Sequence, residues 1–147
     1  MKRAFLFIGL FILSLSTVLT SCDNNEPDEV ILTNNVITIG DAISPITSVS
    51  SKTEDKDTFI IVDTDAIELI FEFDNNESIP LGNIELTLNG NNTAEITMLW
   101  SGVEYVLTGN LNISKSNDTY TLNAVGNAFS DYYSFVPFSI YYNGKIK

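Results

Sequence analysis

Gly109-Asn110-Leu111-Asn112-Ile113-Ser114-Lys115-Ser116-Asn117-Asp118-Thr119-Tyr120-Thr121-Leu122 decides the fold class. Apolar and polar residues alternate on both sides of a Ser-Asn-Asp turn, with Leu111 and Ile113 before it and Tyr120 and Leu122 after it. A period of two with one polar face is the pattern of a half-buried strand. Asn tolerates the left-handed backbone that tight hairpin turns require. A turn at Ser116-Asn117 sets Lys115 opposite Asp118, Ile113 opposite Tyr120 and Leu111 opposite Leu122, so that one face is apolar throughout. The exposed Lys115–Asp118 pair would add about 0.5 kcal/mol.

The same reasoning extends upstream. Thr93–Trp100 points Ala94, Ile96, Met98 and Trp100 to one face. A two-residue loop at Ser101-Gly102 then places Trp100 opposite Val103, Met98 opposite Tyr105 and Ile96 opposite Leu107, with Trp100 buried. A three-residue loop, Thr108-Gly109-Asn110, would pair Leu107 with Leu111. Asn83–Leu88 points Ile84, Leu86 and Leu88 inward and ends in the turn Asn89-Gly90-Asn91-Asn92. Ala66–Phe73 alternates Ile67, Leu69, Phe71 and Phe73 with Glu68, Ile70 and Glu72. Thr58–Val62, Val36–Gly40 and Val30–Thr33 are short apolar runs, and the Ser- and Thr-rich residues 44–57 read as a loop. A last strand spans roughly Ser134–Tyr142, with Pro137 marking an edge or bulge. No segment has a long helical period. The expectation is an all-β chain, an antiparallel meander forming a small barrel-like or two-sheet sandwich domain.

The N-terminus has a different character. Lys2 and Arg3 precede an apolar run from Ala4 to Leu13, then small and hydroxylated residues, then Leu19-Thr20-Ser21-Cys22. A charged start, an apolar middle and a small-residue cleavage site make an export signal. A membrane span needs about 20 apolar residues, and Ser14, Ser16, Thr17 and Thr20 interrupt this one. Leu19-Thr20-Ser21-Cys22 resembles the lipobox of bacterial lipoproteins. That resemblance implies cleavage between Ser21 and Cys22 and lipid attachment at Cys22. Several acyl chains anchor firmly, where one chain is marginal. The expected organisation is a lipoprotein signal peptide over 1–21, an acidic tether over 22–29 and a single β domain over 30–147.

The C-terminal hairpin quoted above, the strand Val36-Ile37-Thr38-Ile39-Gly40 and the ending Tyr142-Asn143-Gly144-Lys145-Ile146 resemble small all-β lipoproteins of the Bacteroidetes. Asn117 stands where that family usually has a turn glycine. The acidic run at residues 23–29 is similar to the segment that follows the lipidated cysteine in surface-exported members. The resemblance implies an outer-membrane lipoprotein, on its surface or periplasmic face, and brings no activity with it.

Composition limits the chemistry. The 147 residues contain 19 acidic and 7 basic side chains, a net charge of −12, one cysteine and no histidine. Removing residues 1–21 removes two of the basic residues and none of the acidic ones. Nucleic acid is therefore not an expected partner. Lack of histidine excludes Ser-His-Asp and Cys-His catalysis. A carboxylate hydrolase would need two acids flanking a cleft, whereas Glu68, Glu72, Glu85, Glu95 and Glu104 fall opposite the apolar stripe. Asp63-Thr64-Asp65 and Asp74-Asn75-Asn76-Glu77 offer oxygens of the kind calcium takes, but turn chemistry accounts for both. No metal or cofactor is expected.

Aromatic residues crowd the C-terminal part, and each of the adjacent pairs Tyr132-Tyr133 and Tyr141-Tyr142 must put one ring outside the strand. Tyr132, Tyr133, Tyr141 and Tyr142 are the candidate ligand contacts. The leading functional expectation is a non-enzymatic, lipid-anchored cell-envelope protein that binds a glycan or an envelope protein. The alternatives are a lipocalin-like carrier of a small apolar ligand and a carboxylate-based hydrolase.

Overall fold

A computed structural model describes residues 35–99, 101–130 and 133–147, the side chains of 133 and 134 excepted. It contains nine strands: β1 (Val36–Ile39), β2 (Ala42–Glu54), β3 (Asp57–Thr64), β4 (Ile67–Phe73), β5 (Gly82–Leu86), β6 (Asn92–Met98), β7 (Val103–Ser116), β8 (Thr119–Ser130) and β9 (Tyr133–Gly144). All pairings are antiparallel. The sheet runs β7-β6-β4-β3-β2-β1-β9-β8, and β8 returns to β7, which closes an eight-stranded barrel. The ninth strand, β5, lies outside that ring. β6 covers the first half of β7, from Val103 to Val106, and β5 covers the second, from Gly109 to Ile113. The two run end to end, joined through residues 87–91, where Thr87 N donates to Asn92 O at 3.0 Å.

The alternation on each strand fills the barrel. Ile37, Ile60, Leu69, Phe71, Phe73 and Ile96 meet Leu107, Leu111, Ile113, Leu122 and Ile140 in one core, each less than 2% exposed. Eight strands enclose a space that large side chains can fill. Burying each contributes about 1.5–3 kcal/mol.

Several local expectations are corrected. Residues 44–57 are mostly strand β2, paired with β1 and β3. Its main-chain bonds define it, and only Val49 is buried, so no hydrophobic period announces it. Thr108-Gly109-Asn110 is the interior of β7, where Gly109 sits opposite Gly126 and Leu107 opposite Ala128. The turn of the C-terminal hairpin is Asn117-Asp118, with Asn117 at φ +54°. Lys115 therefore faces Tyr120, and Ile113 faces Leu122. The register differs from expectation by two residues, so every side chain keeps its face. Lys115 Nζ lies 4.6 Å from the Tyr120 ring centroid, and Asp118 meets Lys145 at 3.9 Å instead.

Around Gly102 the pairing is Met98 with Val103 and Ile96 with Tyr105. Ser101 N and Gly102 N both donate to Met98 O, which makes a longer turn than two residues. The expectation for Trp100 lies outside the described residues, as do those for Val30–Thr33, Ser21 and Cys22. Leu88 belongs to the connection after β5 and is 48% exposed.

Pro137 is not on an edge, because β9 pairs with both β1 and β8. Gly40 N donates to Pro137 O. Within a strand a residue's nitrogen and oxygen point to the same side, so the N–H that proline lacks would point just past the end of β1. A β-bulge between Ala128 and Ser130 lies nearby.

Candidate functional site

The outer surface of the barrel divides by chemistry. On β3, β4 and β6 the outward positions carry Asp63, Glu68, Glu72 and Glu95, together with Phe59, Ile61, Ile70, Thr93 and Thr97. On the second half of β7 and on β8, β9 and β1 they carry amides, hydroxyls and a few apolar groups. The register places Asn112, Asn123, Tyr141 and Val36 in one row across these four strands, with Val36 itself buried, and Asn110, Val125, Ser139 and Thr38 in the next. Thr108 and Asn127 form a third row with Pro137. Adjacent strands lie about 4.8 Å apart, so these side chains form a continuous wall. None of them is charged. Glu85 on β5 and the Asp118–Lys145 pair stand at its rim.

Hydrogen bonds hold parts of the wall in place. Asn112 Nδ2 donates to Asn83 Oδ1 at 2.6 Å, and Asn143 Nδ2 donates to Thr121 Oγ1 at 2.9 Å. Asn143 N donates to Asn35 Oδ1 at 2.8 Å, and Asn35 Nδ2 returns a bond to Asn143 O at 3.3 Å, which lengthens the β1–β9 seam. Asn110, Asn123 and Asn127 make no side-chain hydrogen bond among the described residues and are exposed.

The four candidate tyrosines separate. Tyr141 points outward, half-buried between Val36 and Asn123. Tyr142 points inward and is 7% exposed. Its hydroxyl donates to Lys145 O at 2.6 Å, and burial raises its pKa above the usual 10.0. Tyr142 is thus a core residue and not a ligand contact. Tyr133 lies opposite Ser130 on the backbone, and its side chain and all of Tyr132 lie outside the described residues. A further outward ring is Phe135, 66% exposed, packed edge-on against Phe129 with centroids 4.4 Å apart.

Among the described residues, one carboxylate group forms at a barrel end. Asp57, Glu72 and Asp74 bring oxygens within 4.8 Å of one another, all half-buried. Asp57 Oδ1 accepts from Asn75 N at 2.8 Å, and Thr93 Oγ1 donates to Glu72 Oε2 at 3.5 Å. Asp74 therefore joins Asp57 and Glu72 across strands and not its sequence neighbour Glu77. Asp63 of the other oxygen-rich turn is engaged by β2, accepting from Ser48 Oγ at 2.7 Å. Glu68, Glu85, Glu95 and Glu104 lie on the outer surface of the sheet, beyond the uncharged wall and away from the apolar interior, as the alternation implies.

The asparagine wall escaped the sequence reading, although a signal for it exists. Asn is depleted in strands, yet positions 110, 112, 123 and 127 are all strand positions at even spacing. Comparison with protein-family models, curated proteins and solved structures finds no match for this chain.

Proposed function

We propose that the protein is a non-enzymatic, lipid-anchored cell-envelope module that binds its partner through the outside of the barrel. The observation that carries this reading is the interior: large apolar side chains from every strand of the ring fill it, so recognition falls to the outer surface. A lipocalin-like carrier needs a hollow, and the filled core weighs against that alternative. The anchor is the acylated Cys22, exposed by cleavage after Ser21, in an outer-membrane lipoprotein of the kind the Bacteroidetes resemblance implies.

Two measurements test the reading. Cys22→Ala is expected to abolish acylation and move the protein from the membrane fraction to the soluble one. Unchanged membrane fractionation would remove the anchor. Native mass spectrometry of protein purified from its own host is expected to show a partner lost on Tyr141→Ala. A small apolar molecule retained instead, and indifferent to that substitution, would establish the carrier.

A further inference from the structure

We infer that the uncharged wall of β7, β8, β9 and β1 is a binding face for a neutral glycan. The inference rests on the reading of the protein as a module that binds through its outer surface, and it names the ligand class.

The first argument is electrostatic. The chain carries a net charge of −12, and the outward positions of β3, β4 and β6 include Asp63, Glu68, Glu72 and Glu95 beside Phe59, Ile61 and Ile70. The wall differs, with no charged side chain among its described outward positions. A surface kept free of charge inside a strongly acidic protein suits a ligand that is itself uncharged. An anionic polysaccharide would meet long-range repulsion, and a cationic ligand would settle on the opposite, acidic side.

The second argument is chemical. Asn110, Asn123 and Asn127 occupy strand positions that disfavour Asn, and they bury nothing in return. Each carboxamide offers two donors and an acceptor with two lone pairs, which complements sugar hydroxyls that both donate and accept. A neutral amide also loses less on desolvation than a carboxylate does. The amides of these three residues are not engaged by the protein among the described residues.

The third argument is shape. Tyr141 follows Asn123 in the Asn112–Asn123 row, and Val125 lies diagonal to it, 56% exposed. An outward ring beside an apolar side chain, surrounded by amides, presents the mixture of flat apolar surface and hydrogen-bonding groups that a sugar ring presents in return. These side chains project from paired strands, so the face is held before any ligand arrives.

The experiment uses the intact protein in a non-glycosidic detergent. It is probed with neutral gluco- and manno-oligosaccharides and, separately, with polygalacturonate and heparin. Binding of neutral oligosaccharides that ignores salt is expected. Asn123→Asp and Asn110→Asp, isosteric and exposed, should each weaken it about fivefold. Tyr141→Ala should weaken it at least as much, while Tyr141→Phe retains it and Glu68→Gln on the acidic side leaves it unchanged. Circular dichroism verifies that each variant is folded. Binding confined to the anionic probes, no binding to neutral ones, or binding indifferent to all three wall positions overturns the inference. Capture of an envelope protein that depends on Tyr141, without glycan binding, overturns the glycan and leaves the outer-surface reading standing. Capture indifferent to every outward substitution overturns both.

Discussion

Gly126 on β8 lies directly opposite Gly109 on β7, and the Phe138 ring rests against the pair. A Cβ at Gly126 would meet the Thr108 carbonyl oxygen, with Gly109 Cα and Phe138 Cε1 both at 2.9 Å. The two glycines let the strands of this hairpin approach closely. Gly126→Ala is expected to cost about 1–3 kcal/mol by overpacking, seen as a lower urea midpoint at unchanged m-value. Wild-type stability would mean that the hairpin relaxes freely there. Tyr142 makes a second prediction. Its folded pKa lies above its unfolded value of 10.0 because burial disfavours the phenolate. The stability linked to this group is therefore complete below about pH 10 and is lost as pH rises through the folded pKa. Tyr142→Phe should cost about 0.5–1.5 kcal/mol at neutral pH through the bond to Lys145 O. It should also flatten the alkaline decline, with Lys115 titrating alike in both proteins. An identical alkaline slope in both proteins would contradict the buried position of Tyr142.

At the scale of elements, β2 is long and β1 is short, so much of the β2 edge extends beyond β1. The C-terminal segment covers part of it: Ser51 N donates to Lys147 O at 2.9 Å, and Lys147 N donates to Val49 O at 3.1 Å. Ile146 packs against the core beside it. An uncovered edge would lose those bonds and offer a template for association. Deleting Ile146 and Lys147 should cost about 1–2 kcal/mol and lower the thermal midpoint by several degrees. Light scattering after deletion should report association through β2. An unchanged midpoint would show that these bonds add nothing in solution. β2 also shows why a strand can be invisible to periodicity. Its Ile43, Ile46 and Val49 stand three residues apart and follow no two-residue period, and the backbone ladder to β1 and β3 does the ordering.

At the scale of the molecule, closure pairs Val36 with Tyr141, so the β1–β2 hairpin joins the ring only once the last strand has formed. Contacts so distant in sequence slow folding. The protein is expected to refold from urea in milliseconds to seconds, reversibly and completely, in the presence of a chelator. A refolded yield that depends on divalent cations would make the Asp57–Glu72–Asp74 group part of the fold's stability instead of a solvated cluster.

By itself the sequence determined the all-β, antiparallel class and the inward sets on β4 and β6, while the run of consecutive hairpins is broken where β4 pairs with β6 and β5 with β7. The class and the inward sets are written in the period-two alternation of Ile67, Leu69, Phe71 and Phe73 or of Ala94, Ile96 and Met98. Even where the C-terminal hairpin slipped in register, the slip was by two residues, and the faces survived because side chains alternate with that period. Barrel against sandwich was decided only by tertiary structure, because both bury one face of each strand and differ in whether the first strand, β1, pairs with the last, β9. Tertiary structure also decided that Gly109 lies within a strand, since the reason is the approach of Gly126 and Phe138 from other strands. The uncharged wall has the same origin: Asn110, Asn123 and Tyr141 are distant in sequence, and only strand pairing makes them one surface.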